Sequence, residues 1–266
     1  MAGGSNPLAH RFHEHLRDVW TRLARSVPGG WVHDAHGLRC IATGSPSPSC
    51  NLALSDADRR DPRAALDAAH QRFGQARLSW LLKLSPQLDE DLVGHARRRR
   101  LHLEEEPVYA MPIRPRTATS ASSSASRLSI RVADHDTIDD AVACFADGFG
   151  TEPDAVRREL GPNLLTIPTF TVFVGELDGE AVATSMLATT ADVGLAGIYS
   201  VATRVAHQGR GFGTALTAAA VSAAAQQGYD TAVLEPSPSG APMYRRMGFE
   251  PVTSTLEAVV APLDRT

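Results

Sequence analysis

Three glycines at alternate positions, Gly209, Gly211 and Gly213, fall within Gln208-Gly209-Arg210-Gly211-Phe212-Gly213-Thr214. An apolar run, Ala196-Gly197-Ile198-Tyr199-Ser200-Val201-Ala202-Thr203, precedes them, and an alanine-rich stretch from Ala215 to Gln227 follows. The first has the β-branched and aromatic chemistry of a strand, the second the composition of a helix. The stretch between them is therefore a strand-to-helix turn inside an α/β unit. Glycines there let the backbone turn tightly and bring its N–H groups close to a ligand. The helix that begins at the turn adds unpaired N–H groups and the positive end of its dipole. Together these make a pocket for phosphate.

Spacing excludes two familiar phosphate loops. A P-loop needs Lys-Ser or Lys-Thr after its last glycine, and Gly213 is followed by Thr214-Ala215. A dinucleotide fingerprint needs G-x-G-x-x-G in the first βα unit, whereas this is G-x-G-x-G late in the chain. The residues do satisfy Q/R-x-x-G-x-G/A through Gln208, Gly211 and Gly213. One helix and one strand later, after Thr231–Glu235, comes Tyr244-Arg245-Arg246-Met247-Gly248-Phe249, a Y-x-x-x-G-F sequence. The two motifs, in this order and at this distance, resemble the acyl-CoA pyrophosphate loop and the C-terminal signature of the GNAT superfamily of N-acyltransferases. The resemblance covers about Leu128 to Ala261.

The fold class expected is α/β with a mixed sheet, as the GNAT fold implies. Leu128–Val132, helices at Asp136–Phe149 and Pro153–Leu160, and strands at Thr169–Glu176 and Ala181–Ala188 lead into the glycine turn. Asp178-Gly179 marks a hairpin between the last two strands, and Gly228 is a C′ cap. The first half offers helices at Leu8–Val27, Pro62–Phe73 and Leu88–Arg100, and strands at Leu38–Thr43, Leu52–Leu54, Ser79–Leu84 and Leu101–Ile113. Its order over residues 79–113 parallels residues 231–260, and it contains no Q/R-x-x-G-x-G. A tandem arrangement follows: a degenerate GNAT-like domain at 1–116, a low-complexity linker at 117–127, and a catalytic GNAT domain at 128–266.

Composition limits the remaining choices. No run of about 18 apolar residues exists, so no membrane span is expected. Residues 1–6 lack a charged region leading into an apolar stretch, so no signal peptide is expected. The three cysteines form no CxxC and, being odd in number, no disulfide framework, so the cytoplasm is the expected compartment. His10, His13 and His15 have no cysteine or carboxylate set at ligand spacing, and a solvated helix start accounts for them; no metal is expected. Residues 1–127 carry 18 basic and 13 acidic residues (+5), and the remainder 8 and 17 (−9), which sum to the net −4. An ordinary solvated surface accounts for this asymmetry, and an acidic half would also favour a cationic acceptor by its summed field.

The resemblance implies acyl transfer from acetyl-CoA, or another acyl-CoA, as co-substrate to the amine of a small molecule. The N–H groups of Gly209, Arg210, Gly211, Phe212, Gly213 and Thr214 would hold the pyrophosphate in a donor site that Gln208 opens, with the pantetheine beside Val201 and Thr203. Val201 N–H would face the thioester carbonyl as a one-member oxyanion hole. Tyr244 matches the family tyrosine that protonates the leaving thiolate. Gln208 replaces the commoner arginine, Val205 stands where proline is frequent, and Ser237 and Ser239 occupy a region where relatives carry an asparagine. Glu235, Tyr199 and His207 are equal candidates for the general base. Two alternatives share the fold: aminoacyl transfer from a charged tRNA, suggested by Arg97–Arg100, and a non-catalytic CoA-binding module. The arginine run also has a simpler account, since cations suit a helix C-terminus.

Overall fold

The computed structural model describes residues 6–56, 61–114 and 127–262. Its packing divides the chain into two units. One comprises described residues of Met1–Val108 with those of Pro251–Thr266, and the other Tyr109–Glu250. The expected linker at 117–127 lies, apart from Arg127, outside the described residues.

The first unit contains helices α1 (Pro7–Ser26), α2 (Pro62–Ala76) and α3 (Glu90–Arg98). Its strands are β1 (Trp31–Ala35), β2 (Leu38–Ala42), β3 (Asn51–Ser55), β4 (Trp80–Leu84) and most of β11 (Glu250–Val260). They pair in the order β1-β2-β3-β4-β11. β3 and β4 run parallel through Leu54↔Lys83, while Leu256–Val260 run antiparallel to β4. Leu256, Ala258 and Val260 are buried in the same core as Leu82, Leu84 and Phe73, which holds the chain's last strand in this unit.

The α1 histidines depart from expectation. His13 is 6% exposed and His15 0%, because the buried stripe of α1 is wide and also includes Ala9, Phe12, Leu16 and Val19. His13 Nε2 lies 3.0 Å from the Ser55 carbonyl and 2.9 Å from the Ser55 hydroxyl, which gives this one ring nitrogen its partners inside the protein. Burial pushes His15 down to about 3. No group of three metal-ligating side chains occurs among the described residues. The arginine run is partly engaged too, since Arg99 bonds the Asp67 carboxylate and the His95 ring.

At the start of α2, where a phosphate loop would sit, Asp61 caps the helix. Its Oδ1 accepts the N–H groups of Arg63 (2.9 Å) and Ala64 (3.2 Å), and Pro62 contributes no N–H.

In the second unit the sheet order is β5-β10-β9-β8-β7-β6. The strands are β5 (Glu104–Pro112, from Tyr109 onward), β6 (Leu128–Val132), β7 (Phe170–Leu177), β8 (Glu180–Thr190), β9 (Leu195–Thr203) and β10 (Thr231–Leu234). Helices α4 (Ile138–Phe149), α5 (Pro153–Leu160), α6 (Phe212–Gln226) and α7 (Ala241–Met247) complete it. Phe212, Leu216, Ala220 and Ala224 of α6 pack on Ala196 and Ile198 of β9 and on Ala232 and Leu234 of β10. α6 starts three residues earlier than its alanine content suggests, at Phe212, which is 1% exposed and anchors the helix. No described helix is long and apolar enough to cross a membrane.

Candidate active site

The glycine turn is held from both sides. Behind it, the Val205 N–H donates to Asp147 Oδ2 of α4 (2.7 Å), fixing the end of β9. Within it, Gln208 Nε2 donates to the Thr203 carbonyl (3.2 Å), and Arg210 Nη1 lies 3.0 Å from His207 Nδ1. The Arg210 guanidinium stands 5.0 Å over the Phe212 ring. Gly209 and Gly211 have φ of +73° and +85°, the left-handed region that side chains rarely enter. The first helical bond runs from Ala215 N–H to the Gly211 carbonyl (3.1 Å), and no side chain caps the helix. Among the described residues, the six consecutive amides from Gly209 to Thr214 have no backbone partner. Gly209, Arg210, Gly211 and Thr214 are exposed. The loop side chains thus bind one another and leave the amides to a ligand.

β9, which leads into this loop, parts from its neighbour. The parallel ladder between β9 and β10 pairs Leu195, Ala196 and Gly197 with Thr231, Ala232 and Val233 and ends there, although β9 continues to Thr203. On the other edge, the register with β8 shifts between Thr184 and Met186, so Ser200 and Val201 oppose a single residue. Ser200 has φ of +51°. This is a β-bulge, and it re-aims the residues that follow. Beyond it, Val201 points to the α6 side. A methyl group on Gly213 would lie 3.8 Å from Val201 Cγ1 and 3.3 Å from Met243 Sδ, so β9, the glycine turn and α7 converge at that point.

Tyr244 follows Met243 on α7 and is 8% exposed. Its ring meets Phe249 edge-on at 5.8 Å between centroids. Burial pushes the phenol up to about 12, against a smaller opposing effect of the Thr217 hydroxyl. The group is therefore fully protonated at neutral pH and can give up a proton without first acquiring one. Ser237 Oγ accepts the Gly240 N–H (3.2 Å) at the entry to α7 and lies 3.3 Å from Ser239 Oγ, so this serine pair shapes the turn. His207 sits 4.0 Å from the Glu180 carboxylate and against Arg210. On β9, burial and then the charge of the Glu235 carboxylate push the Tyr199 phenol up.

The structure brings together Val201, Gly213 and the Tyr244 helix. It turns the Gln208 side chain inward onto Thr203. Sequence reasoning missed Ser200, whose left-handed backbone has no signal in a serine, and Met243, an ordinary apolar residue before the tyrosine.

An α/β unit with unpaired amides at a helix start and a parted central strand has the anatomy of an acyl-group transferase. Comparison with known proteins makes the class specific. Residues 129–252 match the family described as "Acetyltransferase (GNAT) domain". A GCN5-related N-acetyltransferase from Kribbella flavida superposes with a TM-score of 0.74 at 19% identity, over 99% of this chain and 98% of that one. A tandem GNAT protein from the clavulanic acid biosynthesis pathway gives 0.57 at 14%, over 99% and 98%. A GCN5-related N-acetyltransferase from Sphaerobacter thermophilus gives 0.58 at 15%, over 86% and 79%. No curated protein matches the sequence. Residues 129–252 form a GNAT acetyltransferase domain, and the chain as a whole has the fold of tandem GNAT structures.

Proposed function

We propose that this protein moves an acetyl group from acetyl-CoA to the amine of a small molecule, at a site carried by its second half. The observation that supports this most is the row of six unpartnered amides from Gly209 to Thr214, opened by two left-handed glycines. A pyrophosphate needs several convergent donors and no competing carboxylate, and a helix start supplies them together with a favourable dipole. The nearest loop cation, on Arg210, adds to the attraction.

Chemistry at the other end of the donor follows from the parted strand. With the pantetheine along Val201 and Thr203, the thioester lies where β9 has left β10, and the Val201 N–H faces its carbonyl oxygen. Such a donor strengthens as charge develops on that oxygen, so it lowers the barrier rather than merely binding. Collapse of the tetrahedral intermediate expels a thiolate of pKa about 8.5. The Tyr244 hydroxyl protonates it. Because burial holds the isolated phenol well above the thiol, transfer to a free thiolate is uphill. Capture is therefore coupled to refilling of the phenolate by the proton the amine nitrogen sheds. The acceptor, once acetylated, loses its charge and leaves.

Thiol release on mixing acetyl-CoA with a panel of primary amines tests the reading. Turnover dependent on the amine is expected, together with acetyl-CoA binding by calorimetry. Absence of acetyl-CoA binding overturns it.

A further inference from the structure

An amine is protonated in water near neutral pH and must lose that proton before its lone pair can attack. The register of β9 and β10 singles out a residue for this task. The two strands are last paired at Gly197↔Val233. Side chains alternate along a strand, so two residues further on, Tyr199 and Glu235 occupy the same face as Gly197 and Val233. That face is not the one turned to α6, which carries Ala196, Ile198, Ala232 and Leu234. It is the α4 side, where Gly148 of α4 approaches Ala202 and Thr203 of β9. Tyr199 and Glu235 thus stand on the two lips of the cleft where the strands part. The Tyr199 hydroxyl is buried, and Glu235 is half-buried. The bulge at Ser200 then reverses the alternation and turns Val201 to the opposite, α6 side, beside Gly213. Donor and acceptor approach one cleft from two faces, and Glu235 is the carboxylate on the acceptor's face.

We infer that Glu235, on the same sheet face as Tyr199, takes the proton of the incoming ammonium, and that the acceptor is an amine that arrives as a cation. The inference rests on the acetyl-transfer reading above. The ammonium gives one proton to a Glu235 carboxylate oxygen and becomes a neutral amine. Its lone pair forms the C–N bond to the thioester carbon. The C–S bond breaks with its electron pair on sulfur, which takes the Tyr244 proton. The nitrogen sheds its surplus proton, which restores the Tyr244 hydroxyl, and Glu235 releases its own proton to solvent. The sum is ammonium plus thioester to amide plus thiol plus one proton.

The test compares the parent with Glu235→Gln and Glu235→Asp on an alkylamine, an arylalkylamine, an amino sugar and a polyamine. On every amine the parent acetylates, Glu235→Gln should lower kcat about 10²- to 10³-fold at pH 7, the range of general-base loss. Its acetyl-CoA affinity should not change. The deficit should shrink as pH rises toward the amine's own pKa, because solution then supplies neutral amine. Glu235→Asp should recover part of the rate. A Glu235→Gln enzyme as fast as the parent overturns the assignment and leaves acetyl transfer standing. So does one with the same deficit at every pH or with lost acetyl-CoA affinity, since a merely structural role behaves that way. A parent that acetylates no amine overturns the acetyl-transfer reading, and the assignment falls with it.

Discussion

Replacing Gly211 by valine separates the conformational from the binding role of the glycine turn. Gly211 has φ of +85° and ψ of 6° as the residue before α6. A side chain in that region costs about 1–2 kcal/mol, and a β-branched one the upper end of about 1–3. At about 2–4 °C per kcal/mol for a protein of this size, the melting transition should fall by about 5–10 °C. Binding should suffer more. If the valine side chain keeps a phosphate from the amides of Gly211 and Phe212, two charge-assisted hydrogen bonds of about 1.5–3 kcal/mol each are lost. The acetyl-CoA Kd then rises about 10²- to 10⁴-fold. Two neighbours serve as controls. Gly209 is also left-handed, at +73°, but a methyl group there meets nothing within 4 Å, so Gly209→Ala should cost stability with less loss of affinity. Gly213 has an ordinary φ and an added methyl meets the flexible end of Met243 at 3.3 Å, so Gly213→Ala should be tolerated. Calorimetry below each variant's melting transition reads the affinities. A folded Gly211→Val protein that binds acetyl-CoA within a few-fold of the parent refutes the cradle.

Tyr244→Phe should keep acetyl-CoA affinity and slow turnover, because it removes the proton and little packing. With the phenol held up at about 12, this group stays protonated through pH 10. The pH–rate profile should therefore show no alkaline limb from it below that value; a Tyr244-dependent fall near pH 10 contradicts the burial. His15 has an ordinary pKa of 6.5 when unfolded and about 3 when folded, so its contribution is whole above 6.5 and is lost as pH falls toward 3. At pH 5 the loss is about 2 kcal/mol, read by urea titration at pH 7 and 5, and His15→Phe should flatten that difference. One acetyl-CoA should bind per chain, since Asp61 already occupies the helix start of the first unit; a calorimetric stoichiometry of two refutes this.

Much of the second unit was legible because its signals are local. Asp178-Gly179 announces a two-residue hairpin, and its two positive φ values, +54° and +86°, follow from that dipeptide. His36-Gly37 makes the same kind of turn, at +51° and +80°, yet histidine carries no such signal and β1 went unread. The glycine turn was legible because glycine spacing reports backbone geometry directly. The cleft has no local signal, since where two strands part depends on pairing between residues 36 apart in sequence, Gly197 and Val233. The burial of the α1 histidines has no local signal, because the partner of His13 Nε2 is Ser55, 42 residues away.

The two halves meet one physical problem in opposite ways. A helix that follows a strand begins with amides lacking carbonyl partners. In the first unit a carboxylate supplies them: Asp61 binds two amides, proline removes a third, and β3 and β4 stay paired to within one residue of the end of β3. That solution is self-sufficient, and its negative charge repels a phosphate at the place where the fold would otherwise accept one. In the second unit the corresponding position is Gly211, which has no side chain to offer, and β9 runs six residues past its last pair with β10. The amides from Gly209 to Thr214 are left without a backbone partner. On the acetyl-transfer reading proposed above, a pyrophosphate would take them, with the pantetheine along the parted strand. On that reading, a side chain at the residue before the helix, present or absent, decides which copy of the fold is a scaffold and which holds the donor.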